Sequence, residues 1–216
     1  VSGPLIHHYF KQIGALRNWY GREASIRVIA VEGDSVDTTR RDLAMTAAEM
    51  MIPLDLRTCN HGGKQFSSNE EPERFEALSK VGNAIFDGVD DMDDVLIYVE
   101  CDLAWPIHTM NSLVEMALNP DQFDIFAPLT FAGTAFYDTW GFRKNGQRFS
   151  PFPPYHSDMN GGLCELDSAG SCLVMRSEVA RNVRIKNNYC LVGWCEEARR
   201  QGYKIATSYG WRITHL

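Results

Sequence analysis

The run VLIYVE at positions 95 to 100 constrains this chain most, because β-branched and aromatic side chains packed this densely favour a pleated strand. Similar runs recur at 26–33 (IRVIAVEG), 123–131 (FDIFAPLTF), 135–143 (AFYDTWGFR), 171–176 (SCLVMR), 204–208 (KIATS) and 211–216 (WRITHL). Between them the apolar period changes to that of a helix. Leu5, Ile6, Tyr9, Phe10, Ile13, Leu16 and Trp19 mark one over 4–20, and Phe75, Leu78, Val81, Ile85 and Phe86 another over 74–88. Residues 39–51 are rich in helix formers, Pro106 suits the first turn of a helix ending near Leu118, and 191–201 reads as a short helix. Strands alternating with helices predict an α/β domain with a mostly parallel central sheet, and the chain, 1–216, reads as one domain. The glycine-rich and polar segments 60–73 and 144–165 are expected to be mobile active-site loops.

Composition excludes several alternatives. The net charge is −7 and the 28 acids are spread along the chain, so no basic stripe follows a phosphate backbone and nucleic acid is not the favoured partner. No apolar run approaches the roughly 20 residues of a membrane span. The six cysteines contain no Cys-x-x-Cys pair, which argues against a zinc ribbon or a dithiol redox site, and they read mostly as small buried apolar residues. No asparagine opens an Asn-x-Ser/Thr sequon, which favours the cytoplasm. The sequence begins at Val1, and a trimmed N-terminal anchor would make the Golgi lumen the expectation instead.

At the end of VLIYVE the chain delivers Glu100 and Asp102 with one residue between them. On a continuing strand both would point to one side and Cys101 to the other. The carboxyl end of a central strand is where open α/β sheets bind ligands. Two converging carboxylates suit a hard divalent cation, Mn²⁺ or Mg²⁺, that also takes phosphate oxygens. The same acids would equally serve the N-terminus of the helix that follows.

Taken with their neighbours, these residues resemble the nucleotide-sugar glycosyltransferases of the GT-A fold. The strand and turn VIAVEGDSVDTT (28–39), and RFEALSKVGNAIFDGVDDMDDVLIYVECDL (74–103) with its acid-x-acid ending, are similar to that group. The segments FYDTW (136–140), LDSAGSCLVMRSEVARN (166–182), LVGWCEEARRQGYKI (191–205) and RITHL (212–216) resemble fungal α-mannosyltransferases of the mannan-polymerase and capsule-associated types. Val192 departs from that pattern, which has a glutamate there. The resemblance implies a Rossmann-like, three-layer α/β/α sandwich whose first strand precedes residue 1. It also implies a metal-dependent, retaining transfer of a sugar from a UDP- or GDP-type donor to an acceptor hydroxyl, on a glycan or another compound.

By the resemblance Glu100, Asp102 and His215 are the metal ligands. Glu32 at its strand end, Lys64 and Arg74 beside the loop, Asp37, Asn83 and Asp167 are expected to join Glu100 and Asp102 in holding the donor, with Asp167 open to the acceptor sugar as well. Asp138, Glu196 and Glu197 are the candidate catalytic carboxylates, with the two glutamates about 100° apart on their helix, so that at most one faces a cleft. Trp140 and Trp194 offer aromatic faces to a sugar. Two alternatives stand beside this reading: a non-catalytic nucleotide- or glycan-binding relative, and a viral-type enzyme that glycosylates a modified nucleic-acid base.

Overall fold

A computed structural model of the chain describes residues 3–64, 66, 71–157, 159, 161–186 and 189–216. The chain divides into two compact units, Val1–Gly88 and Val89–Leu216.

The first unit opens with α1 (Gly3–Tyr20), which buries Ile6, Phe10, Ile13 and Leu16 at steps of three and four residues and packs on α2 (Thr39–Glu49). Each of these side chains contributes about 2 kcal/mol by leaving water. Strands β1 (Val28–Glu32) and β2 (Leu54–Thr58) pair in parallel, from Val28 opposite Leu54 to Glu32 opposite Thr58, with α2 as the crossover. Helix α3 (Pro72–Phe86) carries its proline in the first turn, where no N–H is needed, and lies against β1. Gly33 closes β1 because a Cβ there would sit 2.0 Å from the carbonyl oxygen of Cys59, so only glycine lets the two strand ends pass.

The second unit contains two mixed sheets. The first has the order β10 (Cys164–Leu166), β12 (Ile205–Thr207), β5 (Ile125–Phe126), β11 (Cys172–Arg176), β3 (Val95–Val99). The second has the order β4 (Leu103–Ala104), β13 (Arg212–His215), β6 (Leu129–Ala132), β7 (Ala135–Phe136). A hairpin of β8 (Arg143–Lys144) and β9 (Gln147–Arg148) forms its own two-stranded sheet, and Arg143 bridges Ser168 just beyond β10. Helix α4 (Ile107–Leu118) covers β3, β5 and β11; α5 (Ser177–Asn182) and α6 (Cys190–Arg200) complete the unit.

The general α/β class expected from sequence is present. The mostly parallel central sheet is not, since β11 runs antiparallel to both β3 and β5, and β10 antiparallel to β12. Among the described residues of this unit only the pairs β5–β12 and β6–β13 run parallel. Nor is β3 a central buried strand. It ends its sheet and is half-buried along its length.

The expected single strand 123–131 is two strands in different sheets, divided at Ala127–Pro128. Proline cannot donate to a ladder, so β5 ends beside β12, with Ala127 N–H on Ala206 O at 2.9 Å, and β6 begins beside β13, with Leu129 N–H on Trp211 O at 2.8 Å. The expected strand 135–143 stops after Phe136 and becomes a turn closed by Phe142 N–H on Asp138 O at 3.1 Å.

Of the two segments read as mobile loops, residues 65, 67–70, 158 and 160 lie outside the described residues. The remainder of 144–165 includes β9, the start of β10 and a cis Pro153–Pro154 bond. Half the cysteines, Cys164, Cys172 and Cys195, are buried, and all six are free thiols. Among the described residues no helix is long and apolar enough to cross a membrane.

Candidate functional site

Strand β3 ends at Val99, so Glu100, Cys101 and Asp102 form a turn into β4, and the alternation of a continuing strand does not apply to them. Glu100 N–H donates to Ser171 O at 3.0 Å, which fastens this turn to the entry of β11. Asp102 O accepts from Leu216 N–H at 2.9 Å, which brings the end of β13 alongside. The consequence is the contact that sequence separation hides: His215 Nε2 lies 3.4 Å from Asp102 Oδ2. The other oxygen, Oδ1, is buried without a hydrogen-bond partner. Tyr137, 48% exposed, stacks its ring on the His215 imidazole with centroids 4.0 Å apart and planes at 29°.

Among the described residues no group of three or more His, Cys, Asp or Glu side chains is arranged to hold a metal ion, so the expected triad of Glu100, Asp102 and His215 is not assembled. Two of its members nevertheless fit a cation. Ligand bonds of about 2.1 Å meeting at 90–110° hold their donor atoms about 3.0–3.4 Å apart, and the Asp102–His215 separation of 3.4 Å falls at the upper end of that span. The buried, unpartnered Oδ1 is a further oxygen without a proton donor. Glu100 is exposed.

Behind the acids sits Asp138, in the turn after β7. Its Oδ1 accepts from Gly141 N–H at 3.0 Å and its Oδ2 from Ser171 Oγ at 3.2 Å. A Cβ on Gly141 or on Gly170 would come within 2.6 Å of one carboxylate oxygen, so the cradle requires both glycines. Removal from water pushes the Asp138 carboxyl up to about 7, against the opposing backbone bond from Gly141, and the nearby charge of Glu100 adds to the rise. A carboxyl of this kind exchanges protons near neutral pH.

The other predicted residues of this unit take different places. Glu197 is buried and receives Lys186 Nζ at 2.8 Å, Arg200 Nη2 at 2.6 Å and Gln201 Nε2 at 2.9 Å. Those partners, Arg200 first, hold its carboxyl far below the ordinary glutamate range, so it is an ion-pair hub and unsuited to act as a base. Glu196, one position earlier, is exposed. Trp194 is fully buried and offers no face to a sugar; it is a core residue. Trp140 is half-buried, with the Arg143 guanidinium 5.4 Å from its ring centroid. Asp167 accepts from Gly146 N–H at 2.7 Å and pairs with Arg199 at 3.2 Å, which ties the hairpin tip to α6.

In the first unit, Glu32 accepts from Ser35 N–H at 3.1 Å and pairs with Arg40 at 3.5 Å, closing the turn after β1. Asp37 accepts from Thr39 N–H at 2.9 Å at the start of α2, and hydrogen bonds from Thr39 hold its carboxyl below the usual range. Lys64 is exposed, 3.8 Å from Glu73 and 3.9 Å from Glu71. Arg74 and Asn83 are half-buried on α3. Next to these, Asp34 receives His61 N–H and lies 3.1 Å from His61 Nδ1, and the backbone bond keeps its carboxyl low. Sequence reasoning passed over this pair because 27 residues separate its members.

The same reasoning also passed over Tyr137 and Ser171. The first lies within FYDTW (136–140) and the second within LDSAGSCLVMRSEVARN (166–182), but nothing in either stretch signals its partner. No protein-family model matches the chain, and no curated protein matches it.

Proposed function

We propose that this protein is a metal-dependent glycosyltransferase of GT-A-like architecture, which moves a sugar from a nucleoside diphosphate donor to an acceptor hydroxyl. The observation that carries the reading is the Asp102–His215 pair, 3.4 Å apart at a strand-end edge, with one carboxylate oxygen buried and unpartnered. Asp102 and His215 would hold Mn²⁺ or Mg²⁺, with Glu100 at the rim. When bound, the ion supplies positive charge to the departing diphosphate. Tyr137 fixes the plane of the His215 ring by stacking, and Ser171 and Gly141 orient the Asp138 carboxylate toward a fixed position.

The resemblance to the mannosyltransferases supports retention of configuration. A second reading, inversion, is favoured by Asp138, because a carboxyl near 7 is matched to taking a proton from the acceptor hydroxyl at its Oδ atoms. The anomeric configuration of the product, read by NMR, separates the two.

The reading itself is tested by release of nucleoside diphosphate from nucleoside diphosphate sugars with and without Mn²⁺. The expected result is metal-dependent release that falls roughly hundredfold in Asp102→Ala. Release that is indifferent to Mn²⁺, or equal in the variant, would sink it and leave the nucleotide- or glycan-binding relative as the better account.

A further inference from the structure

Most arginines of the second unit have acceptors. Arg176 donates to the Leu118 carbonyl, Arg184 to that of Ala180 and Arg212 to that of Tyr209, while Arg181, Arg199 and Arg200 pair with Asp91, Asp167 and Glu197. Arg143 and Arg148 differ. Neither side chain is in a hydrogen bond or ion pair with any described residue, and Arg143 Nε is buried without an acceptor.

These two residues are register partners across the β8–β9 hairpin, so their side chains share one face. The hairpin is stiff. Asn145 and Gly146 at its tip have φ of 52° and 74°, the left-handed pair of a type I′ turn. Gly146 N–H is held by Asp167, itself paired with Arg199. At the other end Phe149 N–H donates to Phe142 O at 3.2 Å, and both phenyl rings are buried. The Arg143 guanidinium lies over the Trp140 ring, 5.4 Å from its centroid.

Like charges directly opposed on a hairpin repel, and a desolvated N–H without an acceptor is costly. One anion with several oxygens relieves both. Two guanidinium groups match the charge of a phosphate, and their planar forks match its oxygens. The hairpin also continues directly from the Asp138 turn, through Trp140 and Phe142, and Phe142 N–H is bonded to Asp138 O.

We propose that Arg143 and Arg148, backed by Trp140, form a phosphate-binding subsite, and that it takes the acceptor: a phosphate-bearing sugar or alcohol whose hydroxyl faces Asp138. The word acceptor rests on the glycosyltransferase reading above, in which the donor's diphosphate belongs to the Asp102–His215 centre. The phosphate subsite stands on the hairpin alone.

The test titrates inorganic phosphate against the full chain at constant ionic strength, with chloride as the balancing anion, and reads thermal shift and ³¹P line broadening. Phosphate is expected to raise the wild-type melting temperature, Arg148→Gln to weaken the effect about tenfold, and Arg143→Gln/Arg148→Gln to abolish it. Because Arg148 is exposed, its single variant tests binding without endangering the fold. Equal phosphate response in Arg148→Gln and wild type overturns the subsite.

A second arm adds a nucleoside diphosphate with Mn²⁺. Simultaneous binding, with additive shifts, supports the acceptor assignment, and competition between the two ligands overturns it. If wild type binds phosphate through Arg148 but no nucleoside diphosphate, the glycosyltransferase reading and the word acceptor both fall, while the phosphate subsite remains.

Discussion

Asp138 keeps a carboxyl among two glycines and a serine, and the physical result is a group whose charge costs energy at neutral pH. Burial raises its folded-state value from 3.8 to about 7, so the stabilising contribution of the neutral acid is complete below about pH 4 and is lost as pH rises through about 7. Asp138→Asn, neutral throughout, is therefore expected to gain on wild type by up to roughly 4 kcal/mol between pH 4 and pH 8. Urea denaturation at both pH values checks this, and parallel stability curves for the two proteins would contradict it. At this scale the sequence was legible only in part. Asp138, Asp102 and His215 were identifiable as chemistry-bearing residues, but the distinction between Glu197, paired with Lys186 and Arg200 and hydrogen-bonded by Gln201, and Asp138, held by Gly141 and Ser171, depends on neighbours brought by folding.

At the scale of elements, helix α6 and the β8–β9 hairpin are joined through side chains rather than strands. Asp167 links Gly146 to Arg199, and on the same helix Glu197 collects Lys186, Arg200 and Gln201. Glu197→Gln removes the charge those cations surround. The expected outcome is a lower melting temperature above pH 5, with the gap to wild type narrowing on acidification because a carboxyl held low loses its stabilising charge only at low pH. Calorimetry across pH would reveal this, and a constant gap would show that shape and not charge was lost. Helices were legible because their apolar stripes are long, as in α1 and α3. The Asn145–Gly146 tip is a strong hairpin signal that lies inside a stretch read as loop, since its flanking strands are only two residues each. Strands β5 and β6 merged into one expectation because their apolar character is continuous, and only Pro128 marks where the chain changes sheets.

For the molecule as a whole, a chain of net charge −7 would have to concentrate compensating charge locally, in a cation or in arginines, to bind the anionic donor proposed above. A thermal-shift screen of nucleoside diphosphate sugars with Mn²⁺ is expected to find at least one that stabilises the protein by about 2.7 kcal/mol at a hundredfold excess over its dissociation constant, and to find no such shift without metal. Stabilisation by duplex DNA or RNA that fades with salt would instead favour the nucleic-acid alternative. The sequence by itself determined the α/β class, the placement of most helices and strands, and the strand-end position of Glu100 and Asp102, because these follow from local period and propensity. Tertiary structure decided the rest: mixed rather than parallel sheets, β3 at a sheet end, His215 beside Asp102, and two arginines opposed without an acid. Those outcomes depend on which strands pair and which way they run. Pairing is set by the burial of whole faces and by backbone hydrogen bonds between residues far apart in the chain, information that no short stretch of sequence contains.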